Sequence, residues 1–229
     1  MATVAIIGAD GAGKTTVAKQ LDRNASVPIK YIYMGANIES SNVALPTSRL
    51  MLYLKLRSYK KKAKRTGITD SSYVSTHHEA HRNIKYGKVT STIRMFNRLA
   101  EACYRQFVSW IYQVRGFIVV YDRHFLFEAA TGDTKSSQLA DRIYYWILAY
   151  LYPQPDLVIF LDAPPEVLLA RKGEGTPEYL AKRRQTYLSQ GEKMSNFICV
   201  NASRPFDQVY TDVNQHITKF HTARGKNTL

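Results

Sequence analysis

Gly8-Ala9-Asp10-Gly11-Ala12-Gly13-Lys14-Thr15 decides how this chain is read. It matches the pattern GxxxxGK(S/T). It follows the β-branched run Thr3–Ile7 (TVAII) directly and leads into a helical stretch with Val17, Ala18 and Leu21 on one face. Glycines at those positions let backbone N–H groups turn inward around phosphate oxygens, and the helix N-terminus adds a favourable dipole. At this spacing Lys14 reaches the β- and γ-phosphates of a nucleoside triphosphate, and the Thr15 hydroxyl holds Mg²⁺. The expected nucleotide-binding set is Gly8, Asp10, Gly11, Ala12, Gly13, Lys14, Thr15 and Thr16, with ATP as phosphoryl donor.

Beyond the loop, Ile29–Tyr33 (IKYIY), Phe117–Tyr121 (FIVVY), Leu157–Leu161 (LVIFL) and Phe197–Val200 (FICV) read as four further strands. Continuous apolar runs of this length suit strands covered on both faces. Helical patterns separate them, over roughly 44–62, 89–114, 136–151, 165–172, 177–190 and 205–219. The alternation predicts an α/β fold of three layers, with a five-stranded parallel sheet and the phosphate loop at its first strand. No repeat or linker divides the chain, so a single domain over 1–229 is expected.

Composition excludes several alternatives. The two cysteines, Cys103 and Cys199, are far apart and lack metal-ligand spacing, which argues against a disulfide framework or zinc site. A reducing, cytoplasmic setting is the expectation. The chain enters its first strand at once, so no secretory leader is expected. The longest apolar run, Ile143–Tyr152, is about half the ~20 residues a membrane span needs. It reads as a buried core helix, with a homodimer interface as the second reading. Net charge is +14, and its location matters more than its size. Ser41–Tyr121 holds 15 Lys/Arg against three acids, a balance of +12, leaving +2 for the remainder.

Nucleotide sites need a carboxylate at a strand end to orient Mg²⁺ and its water. Two strands end suitably, at Asp122 and at Asp162. Asp162 precedes Ala163-Pro164-Pro165-Glu166 and could instead cap the helix that follows. Asp122 precedes Arg123-His124, which gathers an acid, a fixed cation and an imidazole at the carboxyl end of a strand, where open α/β sheets bind ligands. Asp122 is therefore the expected metal partner of Thr15.

GADGAGKTT, YDRH after the third strand, LDAPPEVLLARK after the fourth and the late VNASRPFDQV together resemble the thymidylate kinases and their close relatives. The order and spacing of all four blocks agree. The resemblance implies that Asp10 serves the acceptor nucleotide and its metal environment. It implies that Asp122 and Arg123 handle Mg²⁺-bound water and the acceptor phosphate. It also implies a lid over 171–178 whose Arg171 closes on the transferring phosphoryl group. Acceptor contacts in that family come partly from a helix before the third strand, which points to Arg98 and Arg105 here. These two are seven residues apart and so share a helix face. The catalytic set is then Lys14, Asp122, Arg123 and Arg171, with Asp10, Arg98, Arg105 and Arg123 on the acceptor.

The chain departs from that pattern after its second strand. Tyr33-Met34-Gly35-Ala36-Asn37 lacks the arginine and proline of the family's Arg-x-Pro-Gly acceptor motif. The basic region 41–115 follows. Within it Lys55–Arg65 carries seven cations in eleven residues, directly after the apolar Leu50–Leu54. Through residues 50–65 such a segment could meet an anionic membrane surface, as a peripheral attachment, or nucleic acid, or a polyanionic acceptor; a core-packed helix with a solvated basic end is the bland alternative. His77, His78 and His81 include an i, i+4 pair without the HExxH pattern of a metal helix. The sequence reading is thus an ATP·Mg²⁺-dependent kinase of a nucleoside monophosphate. Its alternatives are a kinase of a glycan or lipid-linked precursor, or a P-loop ATPase binding nucleic acid through the basic region.

Overall fold

A computed structural model describes residues 1–35, 39–66, 88–130, 139–173 and 175–226. The histidine group at 77–81 lies outside the described residues. The elements run β1 (Ala2–Ile7), α1 (Lys14–Asn24), β2 (Ile29–Tyr33), α2 (Pro46–Thr66), α3 (Lys88–Val114), β3 (Ile118–Asp122), α4 (Phe125–Ala130), α5 (Leu139–Leu151), β4 (Leu157–Asp162), α6 (Pro165–Lys172), α7 (Pro177–Gly191), β5 (Phe197–Asn201) and α8 (Phe206–Lys226).

All five strands pair in parallel, in the order β2-β3-β1-β4-β5. Parallel strands need crossover connections, and these bring helices onto both faces. Period-two alternation divides β1 between them. Val4 and Ile6 pack with Val17 and Leu21 of α1 and Val213 and Ile217 of α8. Ala5 and Ile7 pack with Phe127, Phe160 and Tyr187 on the opposite face. The strand order has a direct consequence for the site. β1 lies between β3 and β4, so the loop leaving β1 emerges between the two strands that end in Asp122 and Asp162.

Each strand expectation agrees to within a residue at each end. α8 extends beyond its expected limit of 219, and α4 was not foreseen. The expectation of a buried core helix over 143–152 is corrected. Leu148 and Tyr152 are buried, but Trp146 is 70% and Tyr150 83% exposed. α5 packs chiefly on α3 and more lightly on α4, and one side of the apolar run stays in solvent.

Candidate active site

The β1–α1 loop is built on close approach. A Cβ on Gly8 would stand 2.8 Å from the Leu161 carbonyl oxygen, and one on Gly11 would stand 2.9 Å from that of Leu168. Gly13, the N-cap of α1, holds φ +86. The loop therefore nests against β4 and α6 where a side chain cannot fit. Inside it, the Lys14 ammonium donates to the carbonyls of Gly8 and Ala9, each at 2.8 Å. Burial, reinforced by the Arg123 cation, draws the Lys14 pKa down to about 8.

Asp122 closes one side of this loop. Its Oδ2 accepts from the Thr15 hydroxyl at 2.6 Å and from the Tyr31 hydroxyl at 3.5 Å. Its Oδ1 is buried and has no hydrogen-bond partner among the described residues. Burial raises its pKa. A buried carboxylate oxygen without a donor, beside a threonine hydroxyl at a phosphate loop, suits a hard divalent cation and its water. The residues present therefore fit Mg²⁺, which Thr15 and Asp122 would hold.

Asp10 is the centre of the charge arrangement. Arg123 Nη2 lies 2.6 Å from one carboxylate oxygen and Arg183 Nη1 3.3 Å from the other, with Lys14 Nζ at 3.9 Å. Burial raises the Asp10 pKa, but Lys14, Arg123 and Arg183 outweigh it and hold it at about 2. Three cations from three elements thus converge on one carboxylate, so the site keeps an excess of positive charge. Arg183 is almost fully buried and also donates to the hydroxyls of Tyr179 and Tyr187 at 3.1 Å each. The sequence puts Arg183 and Arg184 alike within reach of the lid, with a solvated face as the equal alternative, and neither was counted in the expected site.

Arg123 is held in an unusual conformation. It is the one non-glycine residue with positive φ (67°) among those described. Its amide donates to the Ile6 carbonyl, and the next residue, His124, is fully buried. Rings of Tyr121, Phe125, Phe127 and Tyr152 surround the imidazole, with centroids 4.9–6.4 Å away. Neither ring nitrogen has a hydrogen-bond partner among the described residues, and burial pulls its pKa down to about 4. The side chain thus acts as a neutral plug that anchors the turn.

The remaining expected residues divide. Arg105 is buried and acts on the loop after β2, with Nη1 2.8 Å from the Gly35 carbonyl and Nε 3.2 Å from that of Val43. Glu101, at 3.3 Å from Arg105, also accepts from the Leu45 amide. Gly35 in turn packs on Arg123, since a Cβ there would stand 2.8 Å from Arg123 Cδ. Asn42 bridges the same loop to β2, accepting from Tyr33 N and donating to the Tyr31 carbonyl. Arg98, although on the same helix, stacks over Tyr144 of α5 with its guanidinium 4.1 Å from the ring centre. Arg171 donates to the carbonyls of Ala202 and Ser203 at 2.8 and 3.3 Å. It lines a cleft with Gly11, Gly13, Thr16, Arg204 and Phe206, beside α8. The structure therefore brings Lys14, Thr15, Asp122, Asp10 and Arg123 together, adds Arg183, sets Arg171 in the cleft lined by Gly11, Gly13 and Thr16 of the loop, and places Arg98 against α5. Asp162, the other candidate acid, receives both Nε and Nη2 of Arg184 at 2.6 and 2.7 Å. It serves as the anchor of α7.

No model of a known family matches the chain. Over 112 residues, 46% of its length, it is 30% identical to a probable thymidylate kinase of Archaeoglobus fulgidus. Over 78 residues, 30% of its length, it is 28% identical to a thymidylate kinase of Haemophilus ducreyi. Its structure superposes on thymidylate kinase from Candida albicans with a TM-score of 0.58 at 19% identity, covering 96% of this chain and 92% of that one. By sequence and by fold the chain resembles the thymidylate kinases. The matched stretches span 55% of the Archaeoglobus protein and 36% of the Haemophilus protein. What the structural likeness carries over is the thymidylate kinase fold, a five-stranded parallel sheet with a phosphate loop after its first strand.

Proposed function

We propose that this thymidylate kinase-like chain is an ATP-dependent phosphotransferase that passes the γ-phosphoryl group to a phosphorylated acceptor, in the first instance a nucleoside monophosphate. One observation carries the reading. Asp10 at the mouth of the phosphate loop is gripped by Arg123 and Arg183 with Lys14 behind them. A hydrolytic switch has one polyphosphate to bind, whereas a transferase must hold two anionic reactants in line. A multi-cation centre between the loop and the end of β3 suits the second task.

In this reading the loop amides and Lys14 bind the donor phosphates. Arg123 meets the acceptor phosphate, and Asp10 sets the position of its guanidinium beforehand. Arg183, fixed by two tyrosines, adds charge on the side of α7. Mg²⁺ held by Thr15 and Asp122 would neutralise charge on the donor phosphates when bound. Arg105 acts at one remove, through Gly35. The lid reading of 171–178 rests on the resemblance; Arg171 lines the cleft beside Gly11, Gly13 and Thr16 while donating to the carbonyls of Ala202 and Ser203. A phosphorylated acceptor that is not a nucleotide is the second reading. It is favoured by the segment after β2, which is built on Asn42, Glu101 and Arg105 contacts in place of the Arg-x-Pro-Gly motif.

ADP release measured against a panel of nucleoside monophosphates and phosphorylated sugars tests the proposal. Turnover that depends on one acceptor class supports it. ADP release at the same rate with every acceptor and with none would overturn it.

A further inference from the structure

The largest feature outside the site is α2. Its inner row is Ser48, buried, with Leu52 and Leu56 half-buried, at the i, i+4 spacing of a helix resting on the body. Its outer surface is apolar at the start: Leu50, Met51, Tyr53 and Leu54 are each between 54% and 61% exposed. Arg57 then faces solvent, and the sequence of the same helix continues through Lys60, Lys61, Lys62, Lys64 and Arg65. Over its 21 residues α2 contains eight cations and no acid.

We infer that α2 is a docking surface for an anionic phospholipid bilayer, lying in the plane of the headgroups. Aliphatic side chains with a tyrosine suit the boundary between headgroups and acyl chains, and an acid-free run of cations suits the phosphates above it. Both halves are needed for that match, and they sit end to end on one helix. A second copy of the chain meeting α2 with its own α2 would bring eight cations against eight, so charge opposes that partner. Nucleic acid would use the cations and could stack a base on Tyr53, but offers no apolar phase to Leu50, Met51 and Leu54. No described helix is long and apolar enough to cross a membrane, and surface attachment needs none. The inference is independent of the kinase reading.

The test is co-sedimentation of the full chain with phosphatidylcholine vesicles, with and without roughly one phosphatidylserine in three. Expected is at least ~10-fold stronger partitioning onto the acidic vesicles, falling as salt rises. Changing Leu50, Met51 and Leu54 together to Asp should reduce it ~10-fold while leaving circular dichroism and ATP turnover as in the parent. Lys60→Glu, Lys61→Glu and Lys62→Glu together should remove the preference for acidic vesicles. Equal partitioning onto both vesicle types would overturn the inference, as would undiminished binding by the triple Asp variant. Two further results would reassign the surface and so overturn it. One is oligonucleotide binding that displaces the chain from vesicles and survives the triple Asp change. The other is a concentration-dependent dimer broken by that change in a chain that ignores vesicles.

Discussion

Replacing Asp10 with Asn removes the single negative charge that three buried or half-buried cations share. Its pKa lies at about 2 against an ordinary 3.8, so the fold favours the ionised form by roughly 2.5 kcal/mol, at ~1.36 kcal/mol per unit. The side chain is 24% exposed, which leaves the local field only partly screened. A carboxyl group with a lowered folded pKa contributes its stability above the unfolded value, and loses it as pH falls from 3.8 through 2. Asp10→Asn should therefore lower unfolding free energy by about 2 kcal/mol at pH 7, and by the same amount at pH 5. In a chain of this size that is about 4–8 °C in Tm. The deficit should shrink below pH 3.8. Urea unfolding at several pH values reads this directly. Inorganic phosphate should stabilise the variant more than the parent, because Arg123 and Arg183 have lost their carboxylate partner. A variant within ~0.5 kcal/mol of the parent at pH 7 would refute the electrostatic account of the centre. So would a deficit that phosphate leaves untouched.

Lys14 must be charged to hold phosphate and titrates at about 8 in the free chain, so ATP affinity should fall as pH rises through 8, measured by calorimetry or fluorescence. His124, neutral in its aromatic cage with a pKa near 4 against 6.5 unfolded, binds fewer protons when folded. It should therefore cost the parent roughly 3 kcal/mol as pH falls from 6.5 to 4, a loss that His124→Phe removes in acid unfolding curves. Gly8→Ala places a Cβ 2.8 Å from the Leu161 carbonyl at φ +153 and should cost about 1–3 kcal/mol in thermal unfolding and weaken ATP binding.

The strands were legible because each is a short, nearly uninterrupted apolar run, and burial on both faces of a parallel sheet demands that composition. The phosphate loop was legible because glycine spacing is a steric requirement at Gly8 and Gly11. The Arg-His neighbours favoured Asp122 over Asp162 in the sequence; in the structure Asp122 meets Thr15 at the loop, while Arg184 takes both oxygens of Asp162. Arg183 could not be separated from Arg184 by pattern. Adjacent residues on a helix point about 100° apart, and only the docking of α7 decides which meets Asp10. Arg98 and Arg105 share a helix face by spacing, yet one stacks on α5 and the other reaches the loop after β2. The partners of long side chains lie on elements remote in sequence. The apolar run 143–152 misled for a related reason. Period and hydrophobicity mark a helix as apolar, but whether a neighbour covers Trp146 and Tyr150 is a property of the assembled fold.

The proposed reaction moves a phosphoryl group between two bound anions. It is tested most directly by a single turnover with ATP labelled in the γ-phosphoryl group, in the presence of a nucleoside monophosphate and Mg²⁺. The label should appear in a nucleoside diphosphate, in amounts that track active sites, and be lost with Lys14→Ala. Label recovered wholly as inorganic phosphate, whatever acceptor is supplied, would contradict the account.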